Sequence, residues 1–384
     1  MLSRKSVILR AMNPCAATSA RSPSKVKENL IESWQEAEKR HATPYVFPSL
    51  EDLYKKPAAH LQKIVLKSLA DSFLLHLIET ARSDVDKRRL TSTCHPSSGS
   101  FLSAPLVRND LRLPSHSFID SVRLRLGIKP INVEKLRPSD VCLCGKSHNW
   151  NNIGEILCCP KACGPEWNNR HDHVKNKLYS IALSTGHSVG KEPVVGDGKD
   201  DRTDIVVYDY NDRDSKGQPD GPSFKLQIDV AVTSVDKKSD INGPVLQGRA
   251  ANMKAKSKMN SNGAKWIHEP DRFVPAIMDT YGLMHVDLRT ILKSFADNQL
   301  DNSGKDFGFS VEVRDVLKGV IINGFYQLMS VALMRGVTNN INNAALRILK
   351  HNNRAPAKPP IPKSKLEMMY HGAKRREVSS FDFC

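Results

Sequence analysis

The chain has 384 residues, of which 40% are hydrophobic, so it is long enough for two or three domains and can bury a core in at least one of them. Its 57 Lys and Arg residues outnumber its 41 Asp and Glu residues, and the formal net charge of +16 favours a polyanionic partner such as nucleic acid over a small acidic substrate. The most apolar stretch, residues 316–334, is interrupted by Lys, Asn, Gln and Ser, which argues against a transmembrane span.

The N-terminal third of the sequence predicts helices and contains no catalytic constellation. Residues 1–27 carry Arg, Lys and Ser but no acidic residue, which is typical of an organelle transit peptide and also of a disordered basic leader; we predict the disordered leader. Apolar residues recur at three- and four-residue spacing in residues 25–42 and 58–90, which predicts two amphipathic helices. The Ser- and Pro-rich residues 90–106 predict a loop. These segments belong to a helical linker region over residues 28–135.

A third helix is predicted at the end of this linker region. Either Ser115 or Ser117 can cap the stretch FIDSVRLRLG, because a serine hydroxyl can accept a hydrogen bond from a free amide of the first turn. Gly127 is expected to end the helix in the left-handed conformation.

A group of cysteines follows. Five of the eight cysteines lie between Cys142 and Cys163, and an extracellular disulfide framework would spread them more widely, so a metal site in a reducing compartment is the better interpretation. Zinc takes four soft or borderline ligands, and the segment CLCGKSHNWNNIGEILCCPKAC offers six, although its CxC pair is tighter than the usual CxxC. We predict a zinc knuckle over residues 140–170, with buried structural thiols as the alternative. The predicted ligands are Cys142, Cys144 and Cys159, with His148 or Cys163 as the fourth.

The pattern changes from helix to strand after the knuckle. The stretch HDHVKNKLYSIALSTG predicts a helix that ends at Gly186 and whose apolar face consists of Val174, Leu178, Ile181 and Ala182. The β-branched runs HSVGKEPVV, TDIVVYDY and FKLQIDVAVTSV predict strands, and the turn-rich NDRDSKGQPDGPS predicts a long-looped hairpin between the last two. The predicted fold class is α/β (α+β), with a helical N-terminal part, a small zinc knuckle and a mixed sheet flanked by helices.

Two of these strands each contain an aspartate among Val and Ile. Burying an unpaired carboxylate costs several kcal/mol, so Asp204 and Asp229 need a compensating partner. Two carboxylates on neighbouring strands can hold Mg²⁺ where the ion polarises a phosphodiester and activates water. Taken singly, Asp204 can also be a turn or cap residue, and Asp229 a buried acid paired with Lys or Arg.

Phosphodiester cleavage also requires a cation near the scissile phosphate. Two residues after Asp229, where such a lysine is expected, the sequence has Ala231. The nearest lysines in a regular element are Lys254, Lys256 and Lys258 on the next predicted helix, where they either reach the acids or form a solvated basic face that contacts DNA phosphates.

The rest of the chain predicts a strand, two helices and a tail. RFVPAIMDT predicts the strand, while HVDLRTILKSFADNQ and residues 311–336 predict the helices. Residues 301–350 are accordingly assigned to C-terminal helices and residues 351–384 to a disordered Pro- and Lys-rich tail, whose KRRE is either a nuclear-entry signal or a solvated end.

The order of these features resembles the restriction-like endonuclease region of non-LTR retrotransposon polyproteins, a member of the PD-(D/E)xK superfamily found beside a zinc knuckle. The resemblance extends over about residues 85–300, with the nuclease at 171–300. The matching features are the CxCG, the Cys-rich knuckle, Arg170-His171-Asp172 opening a helix, Gly186, Glu192-Pro193, Arg202-Thr203-Asp204 and Ile228-Asp229-Val230.

This resemblance implies metal-dependent nicking of target DNA to give a 3′-hydroxyl that primes reverse transcription. By position, Asp204 and Asp229 are the metal-binding acids, and one of Lys254, Lys256 and Lys258 is a displaced catalytic lysine. Glu192 matches the EP position. Arg170 and His171 match the RH pair, which either orders the junction between knuckle and nuclease or contacts nucleic acid, and Arg202 is assigned to nucleic-acid contacts. The implied cofactors are Mg²⁺ or Mn²⁺ and Zn²⁺. The implied partners are DNA, element RNA and a separate reverse transcriptase chain, and no membrane partner is implied. The implied location is the nucleus, with an organelle as the alternative.

The sequence departs from the family pattern at several positions. Thr203 replaces the usual Pro, and Gly154 or Glu155 stands where the family has a knuckle His. Met259 follows the helix lysines where an aromatic residue is usual. The sequence contains no YxDD-type pair of polymerase aspartates, so we expect a separated C-terminal piece that does not reverse-transcribe. The alternatives to a nuclease are a catalytically decayed nucleic-acid-binding relic and a helical scaffold that uses zinc only structurally.

Overall fold

The computed structural model describes the central part of the chain. The chain forms two compact units, Met1–Leu90 and Thr91–Cys384, which are described separately. The predicted leader, the helix at 25–42, the start of the helix at 58–90 and nearly all of the tail lie outside the described residues. The described residues are 70, 73–106, 108–164, 166–194, 202–213, 219–236, 244–263, 271–304 and 310–352.

In the first unit, the predicted helix at 58–90 is interrupted. Residues 73–80 are helical, residues 81–83 are not, and a new helix, α1, begins at Asp84 and extends to Thr93. The Ser83 hydroxyl accepts a hydrogen bond from the Asp86 amide at 3.1 Å, which caps the new helix. The three- and four-residue periodicity continues across this cap, which is why it predicted one helix.

Within the described residues, the second unit consists of several short helices, a four-stranded sheet and three longer helices of 19, 19 and 41 residues. The helices are α2 Ser115–Arg125, α3 Ile131–Glu134, α4 Ile153–Cys158, α5 Pro160–Cys163, α6 Glu166–Ser184, α7 Arg249–Lys258, α8 Val286–Gly304 and α9 Val311–His351. The strands are β1 Val189–Lys191, β2 Ile205–Arg213, β3 Pro219–Thr233 and β4 Arg272–Asp279.

The helix α2 confirms one predicted end and corrects the other. Gly127 follows the helix with φ 73°, and the hydrogen bond from the Ile128 amide to the Arg123 carbonyl closes it. The predicted serine cap is wrong: Pro114 holds the cap position, and Ser115 is already helical. Proline suits this boundary because its fixed φ is compatible with entry into a helix.

The strands pair in the order β1-β2-β3-β4. β2 and β3 form the predicted antiparallel hairpin, with Ile205 opposite Ile228, and β4 is parallel to β3. Ile228 and Val230 face the main core shared with α6, whereas Ala231 packs with Ala251 of α7. Because successive side chains of a strand point to opposite faces, α6 and α7 cover opposite faces of a mixed sheet.

The helix α9 is the central helix of the second unit. It was predicted to end near residue 336 but continues to His351, and its apolar residues between Phe325 and Leu349 are largely buried. By length and composition alone α9 could cross a membrane, although 44% of its most apolar window is buried inside the protein. The knuckle, α6, the sheet and α9 share one core, so the predicted domain limits do not separate independent cores.

Candidate active site and metal centre

The knuckle gathers four ligands into one cluster. The ligand atoms of Cys142, Cys144, His148 and Cys159 all lie within 4.8 Å of one another. The Cys142 and Cys159 sulfurs are 3.6 Å apart, and His148 Nε2 is 3.2 Å from the Cys144 sulfur. Tetrahedral zinc with bonds of about 2.3 Å to sulfur sets its thiolates about 3.7 Å apart. This Cys₃His cluster could therefore hold a metal ion such as zinc.

Local backbone features bring these ligands together. A turn closed by the hydrogen bond from the Gly145 amide to the Cys142 carbonyl, with Gly145 at φ 78°, allows the tight CxC pair to face one point. Cys159 is the cap residue of α5, where its sulfur accepts from the Ala162 amide at 3.5 Å. His148 Nδ1 lies 3.3 Å from a Glu155 carboxylate oxygen, which orients the ring so that Nε2 points at the sulfurs.

The fourth member of the cluster is His148, whereas Cys163 lies outside it. The Cys163 thiol donates to the Ile156 carbonyl at 3.1 Å and does not belong to the cluster. Burial raises the pKa of Cys163 to about 12, which suits a structural thiol. Burial likewise raises the pKa of Cys142 to about 12, so metal binding there has to displace a proton from the thiol.

The second cluster forms where β2 begins beside the middle of β3. One Asp204 oxygen, Oδ2, accepts from the Val230 amide at 2.7 Å and lies 3.0 Å from His171 Nε2 of α6. Strand amides point along the plane of the sheet, so the Asp204 carboxylate lies at the level of the sheet, beside the residue that follows Asp229. The Thr203 hydroxyl donates to the Ile228 carbonyl at 3.0 Å and fixes this approach.

Asp229 meets a lysine of the following helix. Lys258 Nζ lies 2.9 Å and 2.8 Å from the two Asp229 oxygens, and the Asp229 side chain is only 7% exposed. Lys258, one of the three lysines predicted to reach the acids, therefore contacts Asp229. Lys254, one turn earlier, is half-buried, and Lys256 is exposed on the other flank of α7.

A third group of charges adjoins Asp204. Lys175 of α6, 7% exposed in its side chain, pairs with Asp172 at 2.9 Å and with Glu192. Glu192 has φ 51°, the one positive value among the described residues other than glycine, and its amide donates to the Asp204 carbonyl at 3.0 Å. Such strained backbone persists where surrounding contacts hold it, often at functional sites.

The electrostatics of the site follow from these contacts. Burial raises the pKa of Asp204, but the hydrogen bond and charge of His171 and the Val230 amide outweigh burial, and the pKa is lowered. The pKa of His171 is conversely raised, because the Asp204 carboxylate outweighs the burial of the ring. Lys175 has a raised pKa for the same reason: its bonds to Glu192 and Asp172 exceed the cost of burial. The pKa values of Asp172 and Glu192 are lowered as well, mainly by Lys175, so these two acids and Asp204 are held ionised beside cations.

The predicted nucleic-acid residues occupy different environments. His171 is half-buried at Asp204, and Arg202 is exposed in a bridge to Val194. Arg170 is 7% exposed, and its guanidinium approaches the Val232 carbonyl at 3.5 Å, so the predicted contact with nucleic acid does not fit its position. The close crossing of α6 and α9 beside Gly336 explains this burial.

Lys175 was not among the residues predicted for the site. Its spacing from His171 is four residues, so both side chains lie on one flank of α6, next to the core face that had been predicted. That spacing was a usable signal. A comparison with protein-family models and with curated proteins finds no match, so the functional assignment depends on the residues and their geometry.

Proposed function

We propose that the chain is a metal-dependent endonuclease of the restriction-like type, which nicks DNA at the Asp204–Asp229 cluster. The observation that carries this proposal is that the Asp204 carboxylate bonds to the amide of Val230, the residue after Asp229, while Asp229 pairs with a helix lysine, Lys258. The resemblance assigns Asp204, Asp229 and one of Lys254, Lys256 and Lys258 to one site, and these residues come from separate elements: the start of β2, β3 and α7.

Each residue has a role that its surroundings support. The carboxylates of Asp204 and Asp229 are hard oxygen ligands suited to Mg²⁺ or Mn²⁺, which when bound polarises the phosphodiester and activates water. Lys258 is placed to neutralise charge on the phosphate during cleavage. His171 is placed to hold a proton at Asp204 Oδ2.

We assign the Cys₃His cluster to structural zinc. All four ligands come from one short segment and fill a tetrahedral coordination shell, so no coordination position is left open for a substrate. This distinguishes a structural zinc site from a catalytic one. Zinc in this position would hold the knuckle next to α6, whose residues contribute to the acid cluster. DNA, element RNA, a separate reverse transcriptase chain and the nucleus remain part of the same proposal.

One observation favours a second candidate, a nucleic-acid-binding relic without cleavage. The acids are already paired with cations of the chain itself, Asp204 with His171 and Asp229 with Lys258. Such pairs satisfy buried carboxylates without any metal. The net charge of +16 supports nucleic-acid binding under either proposal.

A plasmid-nicking assay separates the two candidates. Supercoiled DNA is incubated with the full chain and Mg²⁺ or Mn²⁺, and conversion to the open circle is compared for wild type, Asp204→Asn and Asp229→Asn. Asp220→Asn is the matched control, because Asp220 is an exposed acid of the same β3 strand. We expect both site variants to lose at least about 100-fold in rate, as loss of a catalytic ligand does.

The outcomes are distinct. Nicking by wild type and Asp220→Asn alone supports the endonuclease. Equal nicking by all four proteins shows that the acids are not catalytic. Wild type that binds DNA with a steep salt dependence but never nicks it supports the relic.

A further inference from the structure

A second group of charged side chains lies on the flank of α6 opposite the acid cluster. His171 and Lys175 face the acids, whereas His173 and Lys177 are two positions further on and point away from them. A short turn, Asn109–Leu111, approaches this second flank. The "α6 basic cluster" is defined here as Arg108, His173, Lys177 and Arg335, with Asp110 among them.

Contacts tie these residues to one another. The Arg108 guanidinium donates to both Asp110 oxygens, at 3.2 Å and 3.0 Å, and Lys177 Nζ lies 3.8 Å from the same carboxylate. Arg335 of α9 donates to the Arg112 carbonyl at 2.9 Å, which brings a further guanidinium to the turn. Three elements distant in sequence thus supply cations to one surface.

The charges in this cluster do not balance. Arg108 and Lys177 both lie at the single Asp110 carboxylate, so two cations share one acid. Burial and then the charge of Arg335 lower the pKa of His173, and the opposing charge of Asp172 does not outweigh them. Burial lowers the pKa of Lys177 as well, with Arg335 and Arg108 opposing the favourable effect of Asp110. Like charges held together cost free energy, which a bound anion would recover.

We propose that the α6 basic cluster binds the phosphodiester backbone of nucleic acid. Arginine forks and lysine ammonium groups are the usual partners of phosphate oxygens, and the cluster offers both kinds on a partly exposed surface. The Lys177 side chain is 23% exposed and that of Arg108 57% exposed, so both are within reach of a ligand. The inference goes beyond the proposed cleavage, because the cluster lies on the other flank of α6 from the acids.

Binding is measured by fluorescence anisotropy with a labelled DNA duplex of arbitrary sequence and with single-stranded RNA of the same sequence. The variants Lys177→Gln and Arg108→Gln are made in the full chain, in an Asp204→Asn background so that cleavage does not interfere. Lys293→Gln, which removes an equal charge from an exposed position on α8, is the control. Thermal melting verifies that each variant is folded.

Each cluster variant is expected to weaken binding on the order of tenfold and to reduce the slope of log K against log salt by about one unit. Asp110→Asn provides a test of opposite sign: removing the acid is expected to strengthen binding severalfold, which loss of folding cannot do. The labelled strand that shows these changes identifies the ligand as DNA, RNA or both.

The proposal would be overturned if Lys177→Gln and Arg108→Gln bound both the DNA duplex and the single-stranded RNA with the affinity and salt slope of the wild type. So would a loss in Lys293→Gln equal to that in the cluster variants, since it would show a general charge effect. Plasmid nicking by the parent chain is a separate readout, so failure of this proposal and failure of the endonuclease are distinguishable.

Discussion

The metal centre gives the sharpest prediction, because the knuckle contains its own control. Cys142→Ser removes a ligand of the Cys₃His cluster, whereas Cys163→Ser changes an equally buried thiol of the same segment that bonds to the Ile156 carbonyl. Both changes place a hydroxyl in the interior at a cost of about 1–3 kcal/mol. The difference between the two variants therefore isolates the metal.

The magnitude follows from linkage. If free zinc is a thousandfold above its Kd, binding to the folded state adds about 4 kcal/mol to the free energy of unfolding. For a unit of this size each kcal/mol corresponds to roughly 2 °C in Tm, so wild type and Cys163→Ser should lose roughly 8 °C on chelation. Cys142→Ser lacks one of the four ligands and should change far less.

The assay combines metal content with melting. Inductively coupled plasma mass spectrometry should find one zinc per chain in wild type and Cys163→Ser and clearly less in Cys142→Ser; melting is then recorded with and without a chelator. Zinc retained by Cys142→Ser but lost from Cys163→Ser would show that the ligand assignment is wrong. Wild type without zinc after growth in zinc-supplemented medium would refute the metal centre itself.

Three further predictions follow from single contacts. Gly336→Ala should lower the free energy of unfolding by about 1–3 kcal/mol in denaturant titration, because the new Cβ would lie 2.9 Å from an α6 backbone atom. The control Gly319→Ala, on the same helix, places its Cβ in open space and should raise the free energy of unfolding by up to about 1 kcal/mol. Equal effects of the two changes would disprove the close crossing of α6 and α9. Burial raises the pKa of Asp279 from 3.8 to about 6, so the folded state binds the proton more tightly than the unfolded state. The contribution of this carboxyl to the free energy of unfolding is therefore complete below pH 3.8 and is lost, by about 3 kcal/mol, as the pH rises through 6. Urea titrations over this range should show the fall in wild type relative to Asp279→Asn, and a pH-independent difference would contradict it. Lys258→Met should reduce plasmid nicking about 100-fold while Lys256→Met, on the exposed flank of α7, leaves the rate unchanged; the reverse order would remove Lys258 from the site.

Periodicity predicted the parts of the fold in which one face of an element is buried. The apolar face of α6, including Val174 and Leu178, is completely buried, and the β2–β3 hairpin forms where its β-branched runs predicted it, with register shifts between Val207 and Asp212. Gly186 ends α6 with φ 87°, the conformation that glycine adopts most easily. These features are local, which is why sequence patterns reveal them.

The features that sequence did not predict depend on contacts between distant segments. The last part of α9 is rich in asparagine, a poor helix former, yet it is helical, because Asn342 donates to the Asp120 carboxylate at 2.8 Å and the neighbouring Ile341 and Ile348 are buried. The fourth metal ligand was equally undetermined. The orientation of α5 turns the Cys163 thiol towards α4, and ligand spacing alone does not specify that orientation.

The acid cluster shows how far a motif extends beyond its own residues. Asp204 and Asp229 were predicted from strand sequence, but the cations beside them come from α6 and α7, which cover opposite faces of the sheet. Because a buried ion pair by itself contributes little net stability, packing alone gives weak reason to retain two such pairs at adjacent positions. The strained backbone of Glu192, whose amide bonds to the Asp204 carbonyl, adds a cost at the same place. Under the endonuclease proposal, a site that phosphate and a divalent cation enter would use both the paired charges and this rigid geometry. Under the relic proposal the same pairs only satisfy the acids, so the rate of plasmid nicking decides between the two.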